Sequence, residues 1–389
     1  MMNYFLTEEQ KMIVDLARKL AVEKVKPLRD HYEEAEEFPW PLYEEMAKAD
    51  LCGIYIDQKY GGYGGGVFDL CLAVEELSKI DGAISLSLAA SALGTFPILL
   101  FGNEEQKMKY LPDIANGKHV VAFGITEPNA GSDAGAIQTT AKIDPNNPDY
   151  YIVNGTKCFI TNGGEAQIYS IIAMTDKSKG ARGASAFVLE KGMEGFTFGK
   201  KEKKLGIRAS VTRELIFNNC RVPKNNLLGK EGMGFVVAMK TFDASRPGVA
   251  AQALGIAAGA VDDAVDYARK RIQFGQPIAS FQAIQHMLAD MATQVEAARA
   301  LLYATARSYD ADKTGRYTRE SAMSKLFASE MAMKVTTDAV QILGGYGYIK
   351  EYPMEKRMRD AKITQIYEGT SQVQRNEIAL ALIKDSIRK

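Results

Sequence analysis

The sequence predicts an α+β chain of several domains, with a helical region at each end and a β-rich region between them. Three observations carry this prediction. Apolar residues recur at helical spacing through the first third of the chain, the period becomes strand-like near Val120, and helical spacing returns after Gly229 almost to the C-terminus. The expected domains are therefore residues 1–119, 120–230 and 231–389.

At the N-terminus, Thr7-Glu8-Glu9-Gln10 has the form of a capping box, in which a hydroxyl and an amide satisfy each other's backbone N–H groups. Met12, Ile13, Leu16, Leu20 and Val25 follow on one helical face. Further helices are expected at 41–49, 68–80 and 104–115, and Gly61-Gly62-Tyr63-Gly64-Gly65-Gly66 between them reads as a loop. Segment 82–103 carries no charge over 22 residues. Its serines, Thr95, Gly94 and Pro97 favour a buried helix broken near Pro97 over a membrane span.

In the β region, Tyr150-Tyr151-Ile152-Val153, Asn154-Gly155 and Thr156-Lys157-Cys158-Phe159-Ile160 read as a hairpin with a favoured two-residue turn. Strands are also expected at 168–174, 184–189, 196–198 and 214–217. In the last block, 248–260 is small and almost uncharged, as in a helix packed on all sides, whereas 261–273 gains a charged face. Gly344-Gly345-Tyr346-Gly347 interrupts that block.

Composition narrows the chemistry. The 389 residues include 48 Lys+Arg and 48 Asp+Glu, so no basic excess is available for nucleic acid. Four cysteines without a CxxC and only three histidines give no support for a metal site or a disulfide framework. The first residues carry no basic start, apolar run or cleavage site, so a cytoplasmic setting is expected. No GxGxxG follows a strand, and no GxxxxGK[ST], GxSxG or HExxH occurs. A redox enzyme with this sequence must hold its cofactor in another way.

Four segments supply that alternative. They are Gly124-Ile125-Thr126-Glu127-Pro128-Asn129-Ala130-Gly131-Ser132-Asp133, Phe159-Ile160-Thr161-Asn162-Gly163, Asp338-Ala339-Val340-Gln341-Ile342-Leu343-Gly344-Gly345, and Met358-Arg359-Asp360-Ala361-Lys362 with Ile366-Tyr367-Glu368-Gly369-Thr370-Ser371-Gln372. In this order and at these separations, the chain resembles the acyl-CoA dehydrogenases, which are FAD enzymes, over essentially its whole length. The resemblance implies an N-terminal helical domain, a middle β-barrel-like domain and a C-terminal four-helix bundle. It also implies an acyl-CoA substrate, electron-transfer flavoprotein as acceptor, a homotetramer built as a dimer of dimers, and a place in fatty acid β-oxidation.

Alone, Glu368 would read as a solvated carboxylate at a helix end. The resemblance makes it the base that removes the proton α to the thioester carbonyl while a hydride leaves the β carbon for flavin N5. The residue type suits the task, because a carboxylate in an apolar pocket is a stronger base. Enolate-like charge on the thioester oxygen needs preorganised donors, which the family takes from the backbone N–H of this Glu and a ribityl hydroxyl. Some relatives carry their base just before the Arg of the segment Phe242-Asp243-Ala244-Ser245-Arg246. That position is Ser245 here, so Glu368 is the matching candidate.

The resemblance further implies that Thr126, Ser132, Phe159 and Thr161 contact the flavin, with Ser132 also near the CoA chain. Phe159 stands where many relatives have Trp, which preserves stacking and loses the indole donor. Arg271, Phe274 and Gln341 to Gly345 match positions that hold the adenine and diphosphate, partly across a subunit boundary, and Thr370 and Gln372 match others on the diphosphate. Arginine suits a diphosphate because its planar fork pairs with phosphate oxygens. Asp243 and Arg246 match residues near the pantetheine, and Tyr367 and Gly369 flank the acyl group beside the base. The run Lys200-Lys201-Glu202-Lys203-Lys204 is expected to be a solvated face.

In the family, the helix spanning roughly 83–94 lines the acyl pocket. Ile84, Leu88, Ala89, Ala90, Ser91 and Ala92 offer no cation there, so an uncharged acyl group is expected. Chain length stays open, as does a cyclic (alicyclic) acyl group. Two other readings are an acyl-CoA oxidase, disfavoured by the short chain, and a non-catalytic flavoprotein assembly scaffold, which would have no use for Glu368.

Overall fold

The computed structural model describes residues 3–312 and 315–387. The N-terminal region holds α1 (Glu8–Leu20), α2 (Arg29–Ala35), α3 (Trp40–Lys48), α4 (Val67–Ile80), α5 (Gly82–Phe101) and α6 (Glu104–Ala115). The capping box forms: Gln10 N donates to Thr7 Oγ1 at 3.2 Å and Thr7 N donates to Gln10 Oε1 at 3.1 Å. The stripe that α1 buries against α4 is Ile13, Ala17 and Leu20, continued by Ala21 and Val25. Met12 and Leu16, expected on it, are exposed.

The expected break at Pro97 is absent, and α5 runs through it to Phe101. Proline there removes one hydrogen bond in the last turns, and packing against α4 and β1 (Val121–Gly124) outweighs that loss. The helix is long and apolar enough to cross a membrane, yet 72% of its most apolar window is buried inside the protein.

The middle sheet adds β2 (Thr140–Asp144), β3 (Asn147–Thr161), β4 (Ile168–Met174), β5 (Ala184–Glu190), β6 (Phe196–Lys201), β7 (Thr212–Pro223) and β8 (Leu227–Leu228), in the order β6-β7-β3-β2-β4-β5-β8, with β1 parallel to β4. The expected Asn154-Gly155 hairpin is a single strand instead: β3 passes straight through both residues, pairing with β2 on one side and β7 on the other. The turn chemistry serves a bulge. The register against β7 shifts between Val153 and Gly155, and Gly155 sits at φ +145° where a Cβ would lie 2.5 Å from Thr139 Oγ1. The lysine run is not simply solvated, since Lys201 Nζ reaches Glu36 O at 2.9 Å and Lys204 Nζ reaches Ser210 O at 2.7 Å.

The C-terminal region contains α7 (Gly234–Lys270), the small β9 (Ile272–Gln273) and β10 (Gln276–Pro277), α8 (Gln282–Ala311), α9 (Thr318–Leu343), α10 (Met354–Thr364) and α11 (Ser371–Ile387). Helix α7 is central, packing on α4, α5, α8, α9 and α10. Its stretch 248–260 is buried throughout, as its composition predicts. It too is long and apolar enough for a span, with 78% of its most apolar window inside the protein.

Candidate active site

Helix α10 stops at Thr364 and α11 starts at Ser371, and between them the chain turns with Glu368 at φ +51° and Gly369 at φ +94°. Left-handed backbone costs a non-glycine residue about 1 kcal/mol or more, so the turn needs support from outside. Three helices give it. Arg246 Nε of α7 donates to Glu368 O at 3.2 Å, Gln374 Nε2 of α11 donates to Glu368 O at 3.0 Å and Gly369 O at 2.9 Å, and Lys325 Nζ of α9 donates to Gly369 O at 2.7 Å. Glycine suits the position beside Glu368, because φ +94° is a backbone conformation that side-chain-bearing residues rarely adopt.

The Glu368 carboxyl faces a cavity of about 410 Å³ and accepts a hydrogen bond from Ser245 Oγ at 2.5 Å. Burial raises its pKa above the usual carboxylate value. The Ser245 hydroxyl, Arg246 and Lys325 oppose that rise without cancelling it. A carboxyl group so placed is partly desolvated and basic, which suits proton abstraction.

One wall of the cavity is the α5 face Leu86, Ala89, Ala90 and Leu93, at helical i, i+3, i+4, i+7 spacing. Of the residues expected on this wall, Ala89 and Ala90 line it, and Ile84, Leu88, Ser91 and Ala92 turn away. Ser91 Oγ instead meets Tyr43 OH at 3.3 Å and Val121 N at 3.2 Å. Met239, Phe242 and Val249 of α7 also line the cavity. Tyr367 OH hydrogen-bonds Gln252 Oε1, and Gln252 Nε2 donates to Gly82 O at 2.7 Å, so both lining residues are tied to the buried helix start.

Thr126, Ser132, Phe159 and Thr161 form another side of the same cavity. The loop carrying Thr126 and Ser132 is fixed from below: the Glu127 carboxylate accepts from Gln138 N at 2.5 Å, Thr139 N at 2.9 Å and Lys157 Nζ at 2.7 Å. Burial pulls the Lys157 ammonium down to about 8, against the pull of Glu127. Cys158 N donates to Thr126 O at 2.9 Å, joining loop to strand. The register of β3 then slips between Lys157 and Ile160, and in this bulge Phe159 takes φ +57° and presents its ring, 69% exposed, beside the cavity. An exposed aromatic ring that lines one cavity with Thr126 and Thr161 fits a planar ring system with a polar edge, as the flavin implied by the resemblance has.

The remaining expected residues lie outside this cavity. Arg271 and Gly345 line a separate cleft of about 500 Å³ between the ends of α7 and α9. The Arg271 guanidinium is 5.4 Å from the centre of the Tyr346 ring and forms no salt bridge with the described residues, which leaves its fork open to an anion such as a diphosphate. Phe274 is 93% exposed between β9 and β10, and Gln341 is exposed in the last turn of α9. Thr370 Oγ1 accepts from Val373 N at 3.2 Å at the start of α11, where Gln372 is exposed. Asp243 is buried off the cavity wall, with Oδ2 accepting from Thr318 Oγ1 at 3.1 Å. Lys325, Gln374 and Gln252 were not singled out by sequence reasoning. A lysine or glutamine within a helix carries no local signal that it will reach a carbonyl on another element.

Comparison with known proteins places these features in context. Family models match three consecutive regions: acyl-CoA dehydrogenase, N-terminal domain, over residues 7–118; middle domain, over 122–220; and C-terminal domain, over 232–383. A chain solved in work on the electron transferring flavoprotein of Acidaminococcus fermentans and flavin-based electron bifurcation is 54% identical, with a TM-score of 0.95 over 98% of this chain and 99% of that one. Butyryl-CoA dehydrogenase from Megasphaera elsdenii is 48% identical, with a TM-score of 0.94 over 98% of this chain and 100% of that one. An acyl-CoA dehydrogenase from Bacillus anthracis, solved in complex with FAD, is 34% identical, with a TM-score of 0.93 over 100% of this chain and 69% of that one.

Proposed function

Since the chain belongs to the acyl-CoA dehydrogenase family, we propose that it dehydrogenates a short, uncharged, saturated acyl-CoA to the 2-enoyl-CoA, with Glu368 as the base. The observation that carries this reading is the Glu368 carboxyl, raised in proton affinity and facing a cavity that Phe159, Thr126 and Thr161 also line. FAD bound there supplies the acceptor for the hydride that leaves the β carbon.

Glu368 takes the α proton on a carboxyl oxygen, and the left-handed turn fixes where that oxygen stands. Leu86, Ala89, Ala90 and Leu93 exclude water from the acyl chain, which strengthens the base and protects the developing enolate. None of these four carries charge, so a distal carboxylate on the substrate would be buried without a partner. The Tyr367–Gln252 hydrogen bond on the cavity lining supports a short chain, in keeping with the butyryl-CoA relative.

Arg271, Phe274, Gln341 and Gly345 lie away from this cavity and would hold the adenine and diphosphate of FAD bound mainly by a neighbouring copy, while Thr370 and Gln372 reach the diphosphate from the α11 start. Highly exposed Phe274 and Tyr348, with Ile383 and Ile387 on α11, support assembly into a homotetramer. The likeness to the A. fermentans chain supports electron-transfer flavoprotein as the acceptor. The reaction fits the first step of fatty acid β-oxidation.

The test is anaerobic mixing of the purified flavoprotein with butyryl-, octanoyl-, cyclohexanoyl- and glutaryl-CoA. Butyryl-CoA should bleach the flavin fastest and glutaryl-CoA should leave it oxidised. Fastest bleaching by cyclohexanoyl-CoA would favour the alicyclic reading, and bleaching by none would favour the scaffold.

A further inference from the structure

We propose that Lys325 is a positioning residue for the base: anchored on the Gly369 carbonyl, its ammonium holds the Glu368-Gly369 turn in place and brings a positive charge to the backbone next to the base. This inference rests on the reading of Glu368 as the base.

Lys325 lies in the middle of α9 and is wholly buried, among small buried neighbours on its own helix such as Ser321, Ala322, Ala328 and Ser329. Burying an ammonium costs several kcal/mol unless it is hydrogen-bonded and paired, and an apolar side chain of the same length would fill this space at no such cost. Among the described residues Lys325 forms no salt bridge, and its side-chain hydrogen bond is the one to Gly369 O at 2.7 Å. The cation is therefore spent on the backbone of the turn that carries Glu368.

The charges around it are few. From the turn, Glu368 raises the proton affinity of Lys325; from α7, Arg246 lowers it; on α9 itself, Glu330 raises it. Arg246 in turn feels Asp243 of its own helix and Glu377 of α11. Burial dominates and pulls the Lys325 ammonium down to about 7. Lys325 and Glu368 thus support each other's charged forms. Removing the ammonium leaves burial less opposed at Glu368, so its pKa rises and less of it is ionised at a given pH.

The experiment uses the holoenzyme with Lys325→Met, Lys325→Arg and Glu368→Gln. Flavin reduction by butyryl-CoA is followed across pH, and binding of a β-thia acyl-CoA, which cannot be dehydrogenated, is measured by calorimetry. Lys325→Met should move the acid limb of the reduction rate up by about one pH unit, which slows reduction by up to about ten-fold at pH values below the limb and by less above it. Thioester binding should stay within about two-fold. Lys325→Arg, which keeps the charge, should leave the limb near its wild-type position. If Lys325→Met does not fold, Lys325→Gln keeps a donor for Gly369 without the charge and should show the same displaced limb. An unmoved limb in an FAD-bound Lys325→Met or Lys325→Gln enzyme overturns the proposal. Should Glu368→Gln reduce its flavin normally, the reading of the base itself has failed, and the two failures are thereby told apart.

Discussion

Ser245 Oγ donates to Glu368 Oε2 across 2.5 Å, so helix α7 gives the carboxyl a hydrogen bond from the position where some relatives carry their base. The bond favours the charged carboxylate and opposes the rise that burial imposes. Ser245→Ala should therefore raise the pKa of Glu368. We expect the acid limb of flavin reduction to move up by about one pH unit, read by anaerobic stopped-flow across pH, with little change on the alkaline side. An unmoved limb would show that the hydroxyl does not tune the base.

The Glu127–Lys157 pair supports the loop that carries Thr126 and Ser132. Breaking a buried pair leaves the surviving charge without compensation, at roughly 3–5 kcal/mol. Glu127→Gln should accordingly lower unfolding stability by about that much and also weaken retention of FAD, since Gln138 N, Thr139 N and Lys157 all bond to this carboxylate. Thermal unfolding and equilibrium dialysis of the flavin check the two effects separately. A variant as stable as the wild type would mean that the pair contributes nothing.

Gln252 ties Tyr367 to the Gly82 carbonyl. Gln252→Ala frees the Tyr367 hydroxyl and enlarges the cavity lined by both. The ratio of kcat/KM for hexanoyl-CoA to that for butyryl-CoA should rise about ten-fold, while stability falls by about 1–3 kcal/mol because buried polar groups lose partners. An unchanged ratio would move the limit on chain length elsewhere in the pocket.

The order helix, sheet, helix was legible because the hydrophobic period changes sharply near Val120 and Gly229, and Glu368 was legible as a candidate because its motif is contiguous. The face of α5 was not. Its segment is apolar on every side, so nothing in the pattern distinguishes Leu86 and Leu93, which line the cavity, from Ile84 and Ser91, which do not. Asn154-Gly155 and Pro97 mislead for a related reason: local turn and breaker chemistry is overridden by sheet pairing on both edges of β3 and by packing around α5. Lys325 and Gln374 were silent because their meaning lies in Gly369, which α9 and α11 approach from opposite ends of the chain's last region.

In Glu368→Gln the turn, the cavity and the hydrogen-bonding shape of the side chain persist while the basic oxygen is lost. We expect this variant to hold FAD and bind butyryl-CoA near wild-type affinity, with single-turnover flavin reduction slowed by at least about a thousand-fold. Reduction within a few-fold of the wild-type rate would contradict the assignment of Glu368 as the base.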